Sequence, residues 1–208
     1  MRPGDLTVFI VEDDASVRDS LALMLGLDGI RTALFADAEA MLEAWQPQWR
    51  GCVLADLRLP RMSGVELQQE LARRGSTLPF IIVTAHGDVP SARAAFLAKA
   101  IDFLEKPFDE AQLRRAIATA FDREGERVQR ADARRADAEK IALLTPRERE
   151  VMAHSARGLH AKEIASALGI SPRTVELHKA RIMSKLGVRN IAELVRFALA
   201  ADPPEDAR

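Results

Sequence analysis

Gly51–Cys52–Val53–Leu54–Ala55–Asp56 is a short apolar run that ends in a carboxylate, and its setting in the chain decides the fold. An earlier apolar run, Val8–Phe9–Ile10–Val11, ends in the acidic stretch Glu12–Asp13–Asp14. Two later runs end at Thr84 and Lys106. Short apolar runs of this kind are typical of buried strands, and ligands of open α/β sheets bind where the carboxyl ends of parallel strands meet. We therefore expect four segments to converge on one pocket.

Strand-like runs alternate with segments of helical period from Thr7 to about Phe121. The predicted strands are Val8–Val11, Thr32–Phe35, Val53–Ala55, Phe80–Thr84 and Ile101–Leu104. The predicted helices are Ala15–Leu27, Ala38–Gln46, Gly64–Arg74, Val89–Ala98 and Glu110–Phe121. Right-handed crossovers between parallel strands place helices on both faces of the sheet. Residues 1–121 are thus predicted to form a flavodoxin-like (βα)5 domain of the α/β class.

The C-terminal segment, residues 144–208, shows helix signals and no strand pattern. Its predicted helices are Pro146–Arg157, Ala161–Leu168, Pro172–Leu186 and Ile191–Ala200. Thr145 and Glu148 have the spacing of a capping box, Gly169 is expected to end the second helix, and Ser171–Pro172 to begin the third. Two helices joined by a short turn that contains glycine predict a helix-turn-helix in an all-α second domain.

Residues 122–143, between the two predicted domains, contain mainly charged residues and alanine and lack proline. Glu126 and Arg130 have the i, i+4 order that supports a helix. The composition favours a solvated helical linker that extends the fifth helix, with a mobile coil as the alternative.

The charge of the chain is divided unevenly, although its net value is only −1. Residues 1–120 carry 13 basic and 17 acidic side chains, whereas residues 145–200 carry 10 and 5. A basic second half suggests nucleic acid as its partner, and a solvated basic face is the alternative.

The lone Cys52 excludes an intramolecular disulfide framework. The first residues, Met1–Asp5, lack an apolar signal region, and no window has the run of about 18 apolar residues that marks a membrane span. We expect a cytoplasmic protein without a membrane partner.

The predicted pocket has the chemistry of a phosphoryl acceptor. Glu12, Asp13 and Asp56 would crowd three carboxylates together, and their repulsion calls for a cation. Mg²⁺, with Mn²⁺ as a substitute, suits oxygen ligands of this kind. Asp56 could then act as a nucleophile, while Lys106 and Thr84 offer a charge and a hydroxyl to the phosphoryl oxygens. Each residue alone would more often be a helix cap or a surface side chain, so the prediction depends on their joint placement at strand ends.

Several motifs resemble those of two-component response regulators. The receiver-like segments are Val11–Asp14, Asp56–Gly64, Thr84–Ala85–His86–Gly87–Asp88 and Phe103–Phe108. The segments similar to a LuxR-type DNA-binding domain are Leu144–Val151, Ser171–His178 and Lys185–Val188. Together they resemble a FixJ-type, NarL-like regulator over nearly the whole chain.

The resemblance implies a role for each residue of the pocket. Asp56 is the phosphoacceptor of a sensor histidine kinase, and Thr84 and Lys106 contact the phosphoryl group. Glu12, Asp13, Asp56 and the backbone carbonyl of Arg58 bind the metal, while Thr84 and Phe103 form the switch. Lys106–Pro107 matches the family's cis peptide bond.

Two residues depart from the family pattern. Glu12 stands where aspartate is commoner, and its longer side chain is expected to reach the ion through water. Lys99 stands where glycine is usual, which calls for a positive φ at a residue with a Cβ.

The helix Pro172–Leu186 has an apolar stripe of Val175, Ile182 and Leu186 and a polar stripe of Thr174, His178, Arg181 and Lys185. One stripe can pack while the other enters the major groove. The resemblance assigns Thr174, Val175, His178 and Lys179 to the DNA face and Lys162, Arg173 and Lys185 to phosphates. An amphipathic helix without a partner, and a buried structural role for His178, are the alternatives.

Taken together, these features predict a transcription factor. It is expected to have no enzymatic activity beyond accepting a phosphoryl group on Asp56 and slowly losing it. Phosphorylation is expected to promote a homodimer that binds a double-stranded operator. The alternatives are a Mg²⁺-dependent phosphotransferase or phosphatase acting on small molecules, and a constitutive DNA-binding protein with a vestigial receiver.

Overall fold

A computed structural model describes residues 6–85 and 100–201, apart from the side chains of residues 191 and 199–201. The predicted helix Val89–Ala98 lies outside the described residues, as do His86 and Lys99. None of the helices in the described ranges has the length and apolar content that spanning a bilayer demands.

The first part of the chain contains a five-stranded parallel sheet. Its strands are β1 (Thr7–Val11), β2 (Arg31–Phe35), β3 (Gly51–Asp56), β4 (Phe80–Thr84) and β5 (Asp102–Glu105). They pair in the order β2-β1-β3-β4-β5. The strand order changes direction between β1 and β3: β2 lies on one side of β1, and β3, β4 and β5 follow on the other. Ligand sites of such sheets lie beside this switch point. The flavodoxin-like fold predicted from the sequence is confirmed.

Helices cover both faces of this sheet. They are α1 (Ala15–Leu27), α2 (Ala38–Ala44), α3 (Gly64–Arg73) and α4 (Glu110–Ala142). Alternate residues of the central strands enter two separate cores: in β1, Phe9 and Val11 pack in one core, Val8 and Ile10 in the other. Trp49 stacks on Phe9 with 4.2 Å between ring centroids and 4° between ring planes. This alternation keeps β1 and β3 buried on both faces, as a central parallel strand must be.

The second part contains four more described helices, α5 (Pro146–Ala156), α6 (Ala161–Leu168), α7 (Pro172–Leu186) and α8 (Ile191–Ala201). The capping signals of the sequence are confirmed: Thr145 and Glu148 form a capping box, and Ser171 caps α7 with Pro172 after it. Gly169 ends α6 with φ 65°, a left-handed conformation that glycine adopts without steric cost. The predicted helix-turn-helix is therefore present as α6, a short turn and α7.

The contacts divide the chain between Val128 and Gln129, inside the segment predicted to be the linker. Helix α4 is continuous through this point. The first residues of the predicted linker are not fully solvated. Glu124 is completely buried, and its carboxylate accepts two hydrogen bonds of 2.7 Å from Arg127. Arg50, next to the start of β3, lies 3.8 Å from the same carboxylate. These two arginines offset the cost of burying the Glu124 charge, so this part of the linker belongs to the first unit.

The last turns of α4 pack in the second unit. Ile141 contacts the core that α5 to α8 enclose. Lys140 places its ammonium 5.5 Å from the centroid of the Phe197 ring, within cation–π range, and Asp137 pairs with Arg196 at 3.8 Å. The second unit thus begins well before the first residue of α5.

This boundary predicts different stabilities for two fragments. The free energy of unfolding of a fragment of residues 129–208 should exceed that of a fragment of residues 144–208 by about 1–3 kcal/mol. The reason is that only the longer fragment keeps the Ile141 and Lys140 contacts. Chemical unfolding followed by far-UV circular dichroism measures both. Ile141→Ala in the longer fragment should remove part of the difference, and equal stabilities of the two fragments would contradict the boundary.

Candidate functional site

Four strands deliver their terminal residues to one edge of the sheet. Glu12 follows β1, Asp56 ends β3, Thr84 ends β4 and Lys106 follows β5. The Lys106 ammonium donates a 2.7 Å hydrogen bond to Glu12 Oε2 and another 2.7 Å bond to Asp56 Oδ2. The second Asp56 oxygen, Oδ1, accepts a 2.8 Å bond from the backbone N–H of Arg58. The convergence expected from the strand ends is therefore realised for these side chains.

Burial and charge act in opposite directions on this group. Glu12 is 4% exposed and Asp56 is 9% exposed. Burial raises the pKa of Glu12 above its ordinary value, although its bond to Lys106 acts against the rise. Burial alone would lower the pKa of Lys106, but bonding to Asp56 and Glu12 outweighs it and raises that pKa. The lysine is thus held as a cation between two carboxylates.

The third predicted carboxylate, Asp13, does not join this cluster. Its side chain is exposed. Within residues 6–85 and 100–201, no three side chains of the Asp, Glu, His or Cys type are grouped closely enough to hold a metal ion. The physical reason is that the Lys106 ammonium offsets part of the charge of Glu12 and Asp56, whereas Asp13 keeps its hydration at the surface. The crowding of three carboxylates expected from the sequence is thus corrected to two carboxylates and one ammonium.

Thr84 lies in β4 and Phe103 in β5, the two strands that follow β3 in the sheet. Thr84 is completely buried, and its carbonyl accepts a 2.6 Å bond from the backbone N–H of Lys106. Phe103, in β5, is partly buried against the core on the α2 and α3 face. The cis peptide bond predicted between Lys106 and Pro107 is present.

The loop that follows Asp56 is held closely against the sheet. Leu57 donates a backbone bond of 2.7 Å to Val83 and accepts one of 3.0 Å from Gly64. A Cβ on Gly64 would lie 2.4 Å from the carbonyl oxygen of Asp56, a distance that no ordinary contact tolerates. Glycine at position 64 therefore permits the close return of this loop to the end of β3.

Two arginines near the pocket escaped the sequence analysis. Arg18, in α1, donates a 2.7 Å bond to the carbonyl oxygen of Glu12 and a 3.5 Å bond to that of Asp13, which fixes the acidic turn. Arg61, in the loop after Asp56, pairs with Asp37 and Glu39. Neither contact has a signature in local spacing, since the Arg18 acceptors are backbone atoms and the Arg61 partners lie more than twenty residues away.

In the second unit, α7 has one buried face. Val175 and Ile182 are completely buried. The DNA contact predicted for Val175 is therefore wrong: its side chain is part of the core, and the β-branched residue fills space between helices. The positions on the opposite side of the helix include Arg173, Leu177 and Ala180, which are all exposed.

Lys185 was predicted to contact phosphate, but its ammonium binds within the domain. It donates 2.7 Å to Glu148 Oε2 and 3.1 Å to the carbonyl oxygen of Leu143. Glu148, 3% exposed, also accepts 2.8 Å from the backbone N–H of Thr145. These bonds, that to Lys185 above all, lower the pKa of Glu148 to about 2. Lys185 therefore pairs with a buried carboxylate while its own side chain stays 35% exposed, and its contact with a DNA phosphate remains a prediction.

The remaining predicted DNA residues lie on or beside the exposed face. Lys162 and Arg173 are exposed. Thr174 and His178 are partly buried, with Thr174 Oγ1 2.8 Å from Ser171 Oγ. Lys179 bonds Glu176 at 3.2 Å. Leu177, which was not among the predicted DNA residues, has an apolar side chain that is 50% exposed. Its signal in the sequence is an apolar residue out of phase with the buried stripe.

Family comparisons match both units. The response regulator receiver domain matches residues 8–118, and the luxR family of bacterial regulatory proteins matches residues 142–198. Among curated relatives, the transcriptional regulatory protein FixJ of Azorhizobium caulinodans is 44% identical over 207 residues, which is 99% of this chain and 98% of the relative. The C4-dicarboxylate transport regulator DctR of Rhodobacter capsulatus is 42% identical, over 92% of this chain and 98% of the relative.

Solved structures give the same picture. The response regulator StyR superposes with a TM-score of 0.78 at 41% identity, covering 92% of this chain and 96% of StyR. Full-length FixJ from B. japonicum gives a TM-score of 0.58 at 39% identity, covering 94% and 96%.

The pKa of Glu148 predicts a pH dependence of stability. Because the folded pKa of about 2 lies below the ordinary 4.5, Glu148 stabilises the fold above pH 4.5 and loses this effect as the pH falls toward 2. In a fragment of residues 129–208, Glu148→Gln should cost on the order of 1–3 kcal/mol at pH 7 and flatten the stability profile across that window. Urea unfolding at a series of pH values measures both.

The matched control is Glu150→Gln, since Glu150 lies on the same helix but is exposed. Glu150→Gln should leave the profile almost unchanged. Identical profiles for the two variants would show that the pair between buried Glu148 and Lys185 does not stabilise the domain.

Proposed function

This chain belongs to the response regulators that join a receiver domain to a LuxR-type DNA-binding domain, and we propose that Asp56 is the residue through which phosphorylation switches it. It is a DNA-binding transcriptional regulator of the FixJ type. Its relatives are named as regulators, so the alternative of a phosphotransferase or phosphatase acting on small molecules is not favoured. One observation carries the proposal: the Lys106 ammonium bridges Asp56 and Glu12 at the carboxyl edge.

Asp56 is arranged to accept a phosphoryl group. A carboxylate oxygen attacks phosphorus, the bond from phosphorus to the donor breaks, and the donor leaves with that electron pair. For a phosphohistidine of a sensor kinase, the imidazole is the leaving group. Lys106 and the Thr84 hydroxyl then bind the new phosphoryl oxygens, and the fixed bond from Arg58 N–H keeps the carboxyl group oriented. The phosphate is later lost slowly to water, without turnover on other substrates.

Receiver domains generally bind Mg²⁺, and the residues near Asp56 offer oxygen donors of the kind that suits it, although the exposed Asp13 side chain stands apart from Glu12 and Asp56 in this structure. Glu12, Asp13, Asp56 and the carbonyl of Arg58 would hold the ion through oxygen atoms, the ligands that Mg²⁺ and Mn²⁺ prefer. When bound, the ion neutralises the charge that gathers on the phosphoryl oxygens. The Lys106 ammonium lies between Glu12 and Asp56, where two negative charges favour a cation.

Thr84 and Phe103 are the proposed relay. Thr84 ends the strand beside β3, and Phe103 lies in the strand beyond it. A phosphoryl group that binds the Thr84 hydroxyl favours the conformer in which this hydroxyl turns toward Asp56. The Thr84 side chain then leaves a space, and this space favours another packing of Phe103. Phosphorylation shifts the population only by this difference in stabilisation.

The partners follow from the two units. A sensor histidine kinase supplies the phosphoryl group in the cytoplasm, and phosphorylation promotes a homodimer whose two DNA-binding units match a two-fold operator. Lys162 and Arg173 neutralise phosphates, while Thr174, His178 and Lys179 border the bases. Leu177, on the exposed face of α7, is placed to contact a thymine methyl group in the major groove.

Phosphorylation of Asp56 can be tested directly. With acetyl phosphate and Mg²⁺, the full chain should gain one phosphoryl group by intact mass, and Asp56→Asn should gain none because its amide is not a nucleophile. Sedimentation of the same samples should show a dimer only in the phosphorylated wild type. Phosphoryl transfer to Asp56→Asn, or transfer unaffected by a chelator, would place the chemistry elsewhere.

The exposed face of α7 predicts two kinds of DNA contact. Leu177→Ala should reduce the preference for operator over scrambled duplex by about 1 kcal/mol without altering the salt dependence. Arg173→Ala should weaken both duplexes equally and lower the salt slope by about one charge. Fluorescence anisotropy titrations at several salt concentrations measure both effects.

Leu143→Ala is the matched control, because Leu143 is an equally apolar, 63% exposed residue outside α7. It should leave affinity and preference unchanged. An unaltered preference in Leu177→Ala would remove Leu177 from the base contacts.

A further inference from the structure

Arg61 has an unusual backbone conformation in the loop that follows Asp56. Its φ is 65°, and it is the one residue other than glycine with positive φ within the described ranges. Met62 N–H donates a 2.7 Å bond to the carbonyl oxygen of Pro60, which closes a three-residue turn centred on Arg61. Turns of this size with positive φ at the centre are rare and strained. A residue with a Cβ persists in such a turn when other contacts hold it there.

The side chain of Arg61 supplies such contacts. Its Nη2 donates 2.9 Å to Asp37 Oδ2, and its Nε donates 2.8 Å to Glu39 Oε1. Asp37 is also the N-cap of α2, where it accepts 2.8 Å from Ala40 N–H. These bonds lower the pKa of both carboxyl groups, through Ala40 first for Asp37 and through Arg61 first for Glu39. Both carboxylates are therefore charged at neutral pH, and one guanidinium binds them together.

The sheet order gives this ion pair its position. Asp37 follows β2 and Arg61 follows β3, and β1 lies between these strands. The Arg61 side chain thus joins the loops on either side of the Glu12–Asp13 turn. The backbone N–H of Glu12 donates 3.1 Å to the carbonyl oxygen of Phe35, so the acidic turn is also fixed to the end of β2. The three loops at this edge form one connected structure.

We propose that Arg61 is a positioning residue for phosphorylation: it straps the loop carrying Arg58 to the N-terminus of α2 across the acidic turn. The proposal rests on Asp56 being the phosphoacceptor. Arg58 lies three residues before Arg61 and contributes the N–H that orients Asp56 and the carbonyl assigned to the metal. Fixing Arg61 limits the conformations of this loop and prepares both groups for the ion.

A positioning role of Arg61 and a purely structural role predict effects on different quantities, metal affinity in the first case and stability in the second. The Arg61 side chain is 64% exposed, and exposed ion pairs contribute about 0–1 kcal/mol to stability. Residues that orient metal ligands have larger effects on metal affinity. Loss of the strap should therefore appear in Mg²⁺ binding and in phosphorylation rather than in the unfolding temperature.

The test uses the full chain with Arg61→Ala, Arg61→Gly and Arg61→Lys. Calorimetric titration with Mg²⁺ gives the metal affinity, and acetyl phosphate saturation gives the KM and the maximal rate. Arg61→Ala and Arg61→Gly should each weaken Mg²⁺ affinity about threefold to tenfold, with a higher KM for the donor, whereas Arg61→Lys should recover part of the loss. The unfolding temperature without Mg²⁺ should stay nearly constant. Arg73→Ala, which removes another exposed, paired arginine, is the control expected to match wild type.

The partner carboxylates give an independent test. Asp37→Asn keeps a capping side chain on α2 but removes the charge, and Glu39→Gln removes the other charge. The double variant should lose Mg²⁺ affinity as Arg61→Ala does, and adding Arg61→Ala to it should cause little further loss.

Wild-type affinity in Arg61→Gly, or a loss in Arg61→Ala that simply follows a fall in unfolding temperature, would overturn the positioning role. So would additive losses when the Arg61 and carboxylate changes are combined. If wild type itself accepts no phosphoryl group, the assignment of Asp56 fails and the role of Arg61 fails with it. Normal phosphorylation in all Arg61 variants would overturn the strap alone.

Discussion

The Lys106 ammonium, shared by Glu12 and Asp56, is the interaction on which the arrangement of the pocket depends. Two carboxylates buried side by side repel each other and lose hydration, and either effect alone would favour protonation. The shared ammonium bonds to both carboxylates and offsets part of their repulsion, although burial still raises the pKa of Glu12. Its position depends in turn on the sheet, because Glu12, Asp56 and Lys106 come from three different strand ends that only parallel pairing aligns.

A similar pair in the second unit has the opposite balance. Glu148 is as buried as Glu12, but its hydrogen bonds to Lys185 and to the Thr145 N–H outweigh burial and lower its pKa, whereas burial dominates at Glu12 and raises its pKa. The pair in the helical unit is therefore well satisfied and serves to hold α5 against α7. The receiver pair keeps a burial cost at Glu12, which suits the proposed exchange of Lys106 from the carboxylates to a phosphoryl group.

Most of the fold was accessible from the sequence because its signals are local. Capping at Thr145 and Ser171, the turn at Gly169 and the apolar runs each depend on residues a few positions apart. Strand-end placement then predicted the meeting of Asp56 with Lys106. The errors have a common cause: the side chain's direction. Val175 turned inward and Asp13 stayed in solvent, because each outcome depends on packing or on partners distant in sequence. Arg61 was missed for the same reason, since Asp37 and Glu39 gave no local sign of their partner.

The stack of Trp49 on Phe9 has a spectroscopic consequence. The chain contains no tyrosine and only two tryptophans, Trp45 and Trp49, both in the first unit. Its absorbance and emission in the near ultraviolet therefore arise almost wholly from the receiver, while the DNA-binding unit is optically silent. Phe9 lies on β1, three residues before Glu12, so the indole is an intrinsic probe mounted on the strand that leads into the acidic turn. A change in the emission of the native protein would report on the receiver even when the whole regulator is bound to DNA.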